Sequence, residues 1–258
     1  MNKSTQGTEP TAKPGNSGRP INPMFEAVRW FARRVLHKLR HNSVSEWIYL
    51  DRELIICAAD ERAARGCTVQ SDIQKNNIER LDEVAALVAG RAADLARREM
   101  QASLAGGNEM FTCEIGGCVA GVGWSNPGDS SAYFPYVRQR LDFGGLRVVA
   151  LYSAFVSPQF RRQGVYRRLF QARACDAFAC HSARIIICAE EGGNSSARRA
   201  HEVLGMEVVG RFRVSRRLGR EHNGFHPEQN TLGLTVLHTG PGHWQLNLEA
   251  ADGERSRP

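Results

Sequence analysis

The chain has no Cys-x-x-Cys pair, and no histidine sits at zinc-ligand spacing beside its cysteines. That excludes a zinc finger or ribbon, and no metal is expected. The seven cysteines, Cys57, Cys67, Cys113, Cys118, Cys175, Cys180 and Cys188, are odd in number, and several lie in apolar patterns. They read as buried, reduced thiols of a cytoplasmic protein rather than a disulfide framework. Cys113 and Cys118 flank Glu114-Ile115-Gly116-Gly117 and could face each other across a hairpin. No apolar run approaches the ~18 residues of a membrane span. Residues 1–23 contain no apolar stretch of the secretory type. RNA-binding aromatic motifs, a basic zipper and internal repeats are also missing, which weakens a nucleic-acid reading.

What is present is positive charge in one half. Lys and Arg total 34 against 27 Asp and Glu, a net charge of +7 over 258 residues. Residues 159–220 hold thirteen Arg against five acidic residues. A basic half of this kind points to an anionic ligand or partner. The length and 42% hydrophobic content suffice for one substantial core with extensions.

Residues 1–23 are polar and rich in Gly, Pro, Ser and Thr, and are expected to be disordered. Residues 24–45 predict a basic amphipathic helix: Phe25, Val28, Ala32, Val35, Leu36 and Leu39 recur at helical spacing among five basic residues. Its apolar side packs on the core, or residues 24–41 make a peripheral contact with an anionic membrane or an acidic partner. A mixed α/β domain follows over 46–248, and 249–258 form a polar tail. The pattern predicts a strand at 46–57 and a capping box at Ser71-Asp72-Ile73-Gln74 that opens a helix. Helical spacing continues to Met100, with Gly90 as a bend or break, and ends at Gly106-Gly107. Strands are predicted at 109–115 and 118–125, then a long polar and aromatic loop at 126–145. Strands at 148–156 and 184–189 bracket a helix at 162–181. A helix at 195–204 and strands at 207–215, 231–239 and 244–248 complete one sheet.

The most informative stretch is V-S-P-Q-F-R-R-Q-G-V-Y-R-R-L-F, residues 156–170. It leaves a strand, crosses a basic turn containing Gly164 and enters a helix. The first amides of a helix lack internal partners and face outward with the positive end of the dipole behind them. Gly164 lets a ligand approach the backbone, and Arg161 and Arg162 add charge at the mouth. This chemistry suits a pyrophosphate.

The segment resembles the acyl-CoA-binding motif of the GNAT superfamily of N-acetyltransferases, (Q/R)-x-x-G-x-(G/A), with Arg161, Gly164 and Tyr166 on its marked positions. Tyr166 stands where the family has a small residue. Downstream, Asn194-Ser195-Ser196-Ala197 and Leu204-Gly205-Met206 resemble the second signature, N-x-x-A followed by Y-x-x-x-G-F, with His201 in the Tyr position and Met206 in the Phe position. The close resemblance covers residues 148–209.

It implies an α/β fold with a mixed, mostly antiparallel sheet splayed at its centre and flanked by helices. It places acyl-CoA between the strand ending at Val156 and the strand 184–189. Backbone groups near Phe155 and Val156 would pair with the pantetheine arm, and the amides of Gln163, Gly164, Val165, Tyr166 and Arg167 would hold the pyrophosphate. Asn194 would contact the arm, and it also suits a helix N-cap. His201 would protonate the leaving thiolate in place of the family's Tyr, although a histidine on a helix face is more often structural. For the base, Glu190, Glu191, Tyr152 and Ser153 stay open. The implied reaction is N-acetyl transfer from acetyl-CoA to a small-molecule or peptidyl amine. The alternative is a non-catalytic acyl-CoA-binding module, membrane- or partner-associated.

Overall fold

The structure is a computed structural model that describes residues 49–65, 71–89, 92–218 and 220–249. The expectations for 1–23, for the 24–45 helix, for Cys67, for Gly90 and for the tail from 250 lie outside the described residues.

Sixteen regular elements are seen among the described residues. In chain order they are β1 (Tyr49–Ala59), β2 (Ile73–Lys75), α1 (Leu81–Ala89), α2 (Ala93–Ala105), β3 (Glu109–Ile115), β4 (Cys118–Asn126), β5 (Ser131–Phe134), β6 (Gln139–Asp142), β7 (Val148–Val156), α3 (Val165–Ala179), β8 (Ile185–Glu191), α4 (Ser195–Val203), β9 (Glu207–Arg217), β10 (Arg220–Pro227), β11 (Leu234–Gly240) and β12 (His243–Leu248). Eight strands form one sheet in the order β10-β9-β1-β8-β7-β4-β3-β2. Its neighbours run antiparallel except β7 and β8, which are parallel. The fold is therefore the mixed, mostly antiparallel α/β sheet that the sequence implies. No described helix is long and apolar enough to cross a membrane.

The first strand lies inside the sheet, between β8 and β9. Its run Leu54-Ile55-Ile56-Cys57-Ala58-Ala59 is buried throughout, as a strand covered on both faces requires. Alternation sends Ile55, Cys57 and Ala59 toward α3, with Phe170, Ala174 and Ile186. Leu54, Ile56 and Ala58 face the other way and pack with Phe212, Leu141, Trp244 and Leu246.

The last three residues of that group belong to strands of a second, four-stranded sheet, β11-β12-β6-β5. Residues 126–145 are thus not simply a loop, and 231–248 do not extend the main sheet. Short strands of mixed polarity carry little periodicity of their own, and here pairing with β12 fixes β6. β10 is a further strand that the sequence does not announce. It is polar, mostly exposed and pairs only with β9, anchored by Phe225 stacked edge-on against Phe212 with centroids 4.9 Å apart.

Three other expectations are corrected. The Ser71–Gln74 segment does not cap a helix: Ile73–Lys75 pairs with β3, and the Asp72 carboxylate binds Arg168 instead of a helix amide. The helix expected from 162 starts at Val165, because Arg162 (φ 63°) and Gly164 (φ 75°) are left-handed. Cys113 lies opposite Gly121 and Cys118 opposite Ile115, so the two cysteines do not face each other. Cys118 and Cys180 are exposed rather than buried.

Candidate active-site cleft

The cleft begins where two strands part. β7 and β8 pair only from Val148–Leu151 with Ile185–Cys188. β7 then runs five residues further along β4, and its backbone edge on the β8 side is left without a ladder partner. A bulge helps to turn it. Val122 pairs with Phe155 and Trp124 with Tyr152, which leaves one extra residue on β7. Ser153 takes φ 47° there, a strained value for a residue with a Cβ. The opening holds a cleft of about 270 Å³, lined among others by Tyr152, Tyr166, Arg173, Glu190, Asn194 and His201.

One end of β7 leads into the basic turn. After a 3₁₀ turn at Pro158–Phe160, Arg162 and Gly164 both take positive φ, the kind of left-handed turn from which backbone amides can form an anion-binding concavity. The first helical bond of α3 runs from Arg168 N to Gly164 O at 3.0 Å, so the amides before it have no helical acceptor. Side chains hold the loop: Arg168 donates to Gln163 O (3.2 Å) and pairs with Asp72, and Gln163 Nε2 donates to Gln159 O (3.2 Å). A Cβ built on Gly164 would meet nothing within 4 Å, so the glycine serves its φ and leaves the mouth open. Arg161, Arg162 and Arg167 are exposed around it.

Inside the cleft, four ionisable groups form a chain. The Tyr166 hydroxyl is hydrogen-bonded to His201 Nε2. His201 Nδ1 lies 3.3 Å from Glu190 Oε2, and Arg198 Nε lies 3.6 Å from Glu190 Oε1. Neither Glu190 contact has hydrogen-bond alignment. Arg173 completes the group. It is 2% exposed, and its guanidinium donates to the carbonyls of Leu169 and Trp124, both at 3.2 Å. Among the described residues no carboxylate pairs with it. Such a charge costs several kcal/mol to bury unless something else uses it.

Burial dominates the acid–base behaviour here. It pushes the Tyr166 phenol well above its usual range, with Cys188 and Glu190 adding and Arg173 opposing. It also raises Glu190, against the pull of His201 and Arg198, and lowers Arg173, against Tyr166 and Cys188.

Behind the imidazole, Cys57 of β1 lies directly opposite Cys188 of β8. The Cys188 thiol beside it draws Cys57 down to about 6 against its burial, with His201 adding to the pull, while Cys188 is pushed well up. Cys57, Cys188 and His201 place three soft ligand atoms within 4.8 Å of one another. The imidazole nitrogens, however, already face Tyr166 and Glu190, and an ion would have to displace one of them. The other such group, Glu109, Asp176 and His181, already surrounds a cation: Lys75 Nζ lies 2.8 Å from both Glu109 and Asp176.

The structure gathers most of the residues named from the sequence. Phe155 and Val156 end β7 beside the opening, Arg161 to Arg167 form the turn and first helical residues, and Asn194 and His201 line the cleft from α4. Val165 turns its side chain into the core, leaving only its amide available. Asn194 caps α4, its side chain accepting from Ala197 N at 3.2 Å, while also lining the cleft. Glu190 and Glu191 lie on β8 itself, which is longer than expected. Sequence reading missed Arg173. Its signal was the stripe Tyr166, Phe170, Arg173, Ala177, a charge at helical spacing among apolar residues.

The cleft thus sits in a mixed α/β sheet whose two central strands part beside a basic, left-handed turn. The sequence profile of the Acetyltransferase (GNAT) family matches residues 76–206, and the chain belongs to that family. No curated protein matches the chain. Three solved structures are similar to it at low identity. The aminoglycoside acetyltransferase AAC(6')-Iy, in complex with the bisubstrate analog CoA-S-monomethyl-acetylneamine, is 22% identical (TM-score 0.43), over 53% of this chain and 90% of that one. A tandem GNAT protein from the clavulanic acid biosynthesis pathway is 14% identical (TM-score 0.47), over 83% and 62%. A functionally unknown conserved protein from Staphylococcus epidermidis ATCC 12228 is 11% identical (TM-score 0.46), over 78% and 69%.

Proposed function

We propose that this chain transfers the acetyl group of acetyl-CoA to the amine of a small molecule or peptide by direct attack on the thioester. The observation that carries this reading is the junction of two features: β7 parts from β8 after Leu151, and β7 then leads into the left-handed turn at Arg162 and Gly164. The free edge of β7 at Phe155 and Val156 offers strand-like hydrogen bonds to an amide-bearing arm. The amides of Gln163 to Arg167, with Arg161 and Arg162 beside them, suit a pyrophosphate. A thioester supplies an activated carbonyl and a thiolate leaving group. What the protein adds is placement of the two reactants and a proton for the sulfur.

The acceptor amine enters from the open side of the cleft, past Tyr152 and Glu191, which are exposed there. A neutral amine is required for attack, so the reaction favours acceptors of modest basicity or alkaline conditions. The test is acetyl transfer from labelled acetyl-CoA to a panel of amines, with calorimetry of acetyl-CoA binding alongside. Binding together with amine-dependent release of CoA is the expected result. Binding without transfer to any amine would favour a non-catalytic CoA-binding module.

A further inference from the structure

We infer that Tyr166, rather than His201, hands the proton to the departing sulfur, with His201 and Glu190 standing behind it as its proton supply. The inference rests on the acetyl-transfer reading and goes further by locating the acid. Its starting point is that two of the three departures from the family's signatures touch. Tyr166 occupies a position where the first signature has a small residue, and His201 occupies the tyrosine position of the second. In the fold their side chains are hydrogen-bonded, phenol to imidazole Nε2, with ring centroids 5.8 Å apart. The phenol missing from α4 is thus supplied from α3.

Three observations put Tyr166 at the reacting end of the chain. First, His201 is 5% exposed, whereas Tyr166 is only half-buried and lines the cleft in front of it. Second, Nε2 is engaged by the phenol, while Nδ1 faces the buried Glu190 carboxylate at 3.3 Å without hydrogen-bond alignment. A proton held on Nε2 therefore leaves through the phenol. Third, Arg173 lies two turns along the same face of α3 and lines the same cleft, and its charge acts on the Tyr166 phenol. A buried cation beside a phenol stabilises the charge that grows on its oxygen as the proton leaves.

The other candidates are less well placed. Tyr152 hydrogen-bonds Ser103 at 3.2 Å and stacks on Trp124, and among the described residues no further proton donor stands behind it. Cys188 Sγ sits 3.6 Å from both ring nitrogens and also donates to Met206 Sδ at 3.4 Å. It is buried, and the neighbouring Cys57, the burial and Glu190 push its thiol well up, which argues against an acyl-enzyme route through its sulfur.

The acceptor nitrogen bonds to the carbonyl carbon, and the C–S bond breaks. Sulfur keeps that electron pair and takes the Tyr166 proton. The phenolate oxygen regains a proton from His201 Nε2, while Glu190 carries the counter-charge beside Nδ1. The surplus proton of the acceptor nitrogen leaves to solvent, and solvent restores His201 as products depart. Tyr166 is the catalytic residue in this scheme, and His201 and Glu190 are positioning residues that act through it.

The experiment compares the full-length protein with Tyr166→Phe, His201→Gln and the double variant, each checked for folding by its melting curve and for CoA affinity by calorimetry. Tyr166→Phe removes one oxygen. It should keep CoA affinity within about twofold while turnover falls about 10²–10⁴-fold. A second readout needs no turnover: the thiol of bound CoA is titrated by its thiolate absorbance, against CoA lacking the sulfur. The thiol should ionise at lower pH on the wild-type protein than on Tyr166→Phe. His201→Gln should lose less than Tyr166→Phe, and the double variant should be no slower than Tyr166→Phe alone, because both act on one path. Wild-type turnover and an unshifted thiol in Tyr166→Phe would overturn the inference. So would a larger loss in His201→Gln that adds to that of Tyr166→Phe. If Tyr166→Phe fails to fold, additive behaviour cannot be scored, and the titration of bound CoA on His201→Gln decides: an unchanged thiol overturns the relay, a raised one supports it. A wild-type protein that binds CoA and acetylates no amine overturns the transferase reading, and the inference with it.

Discussion

The hydroxyl of Tyr166 is hydrogen-bonded to Nε2 of His201, across the gap between α3 and α4. Each residue alone looks like a loss of a family feature. Together they keep a phenol, an imidazole and, through Glu190, a carboxylate within one contact of one another at the floor of the cleft. The same contact joins the turn proposed to hold phosphate to the helix proposed to face the thioester, so binding and proton supply share a residue.

Gly164→Glu should abolish acetyl-CoA binding. The change forces a Cβ into φ 75°, which costs about 1–2 kcal/mol, and sets a negative charge in the anion turn. The space around Gly164 is open, so the protein should still fold. Calorimetry with the folded variant is the check. Wild-type affinity would remove the turn from the binding site.

Arg173→Met should separate stability from activity. Removing a buried guanidinium that hydrogen-bonds the Leu169 and Trp124 carbonyls and has no carboxylate partner among the described residues should leave stability within about 1 kcal/mol of wild type or raise it. Turnover should fall by about 10²-fold if the charge serves the reaction. Melting temperature and turnover measured on one preparation decide, and the opposite pattern would make Arg173 a packing residue. Gly123→Ala acts on the same group without removing its charge: the added Cβ would lie 2.8 Å from the Arg173 guanidinium carbon, so the guanidinium has to shift.

Acid should loosen the link between β2, β3 and α3. Burial would raise the Asp176 carboxyl, but hydrogen bonds to Lys75 and the nearby charges outweigh it and hold the group below its usual range. A carboxyl depressed on folding stabilises above its unfolded pKa and loses that contribution as pH falls through the lower folded value. The Lys75 ammonium is raised, so its share is present at neutral pH and lost in strong alkali. Asp176→Asn should cost about 1–2 kcal/mol at neutral pH, between exposed and fully buried pairs, and should flatten the acid limb of stability. Denaturant curves from neutral pH to below pH ~4 test it. An unchanged acid limb would assign that limb to other carboxylates.

Much of this site is legible in the sequence. The Gly164 turn shows because a glycine between paired arginines, after an apolar strand and before a helix, has few other readings. The helix α4 shows through Asn194, whose side chain caps it. What stays hidden depends on tertiary partners. Leu54–Ala59 reads as a strand, but nothing local tells it to enter the sheet between β8 and β9 and set Cys57 against Cys188. Asp72 has the local chemistry of a helix cap and is claimed instead by Arg168, 96 residues away. Ser131–Phe134 and Gln139–Asp142 are too short and polar to declare themselves without β12. The Tyr166–His201 contact spans 35 residues and becomes visible only once α3 and α4 are packed.

The most direct test is transfer of labelled acetyl from acetyl-CoA to a panel of amines by the full-length protein, run beside folded Gly164→Glu. Amine-dependent label in product with the wild-type chain, and none above background with Gly164→Glu, is the expected result. Equal transfer by both proteins, or tight binding of acetyl-CoA with no transfer to any amine, would contradict the proposed reaction at this cleft.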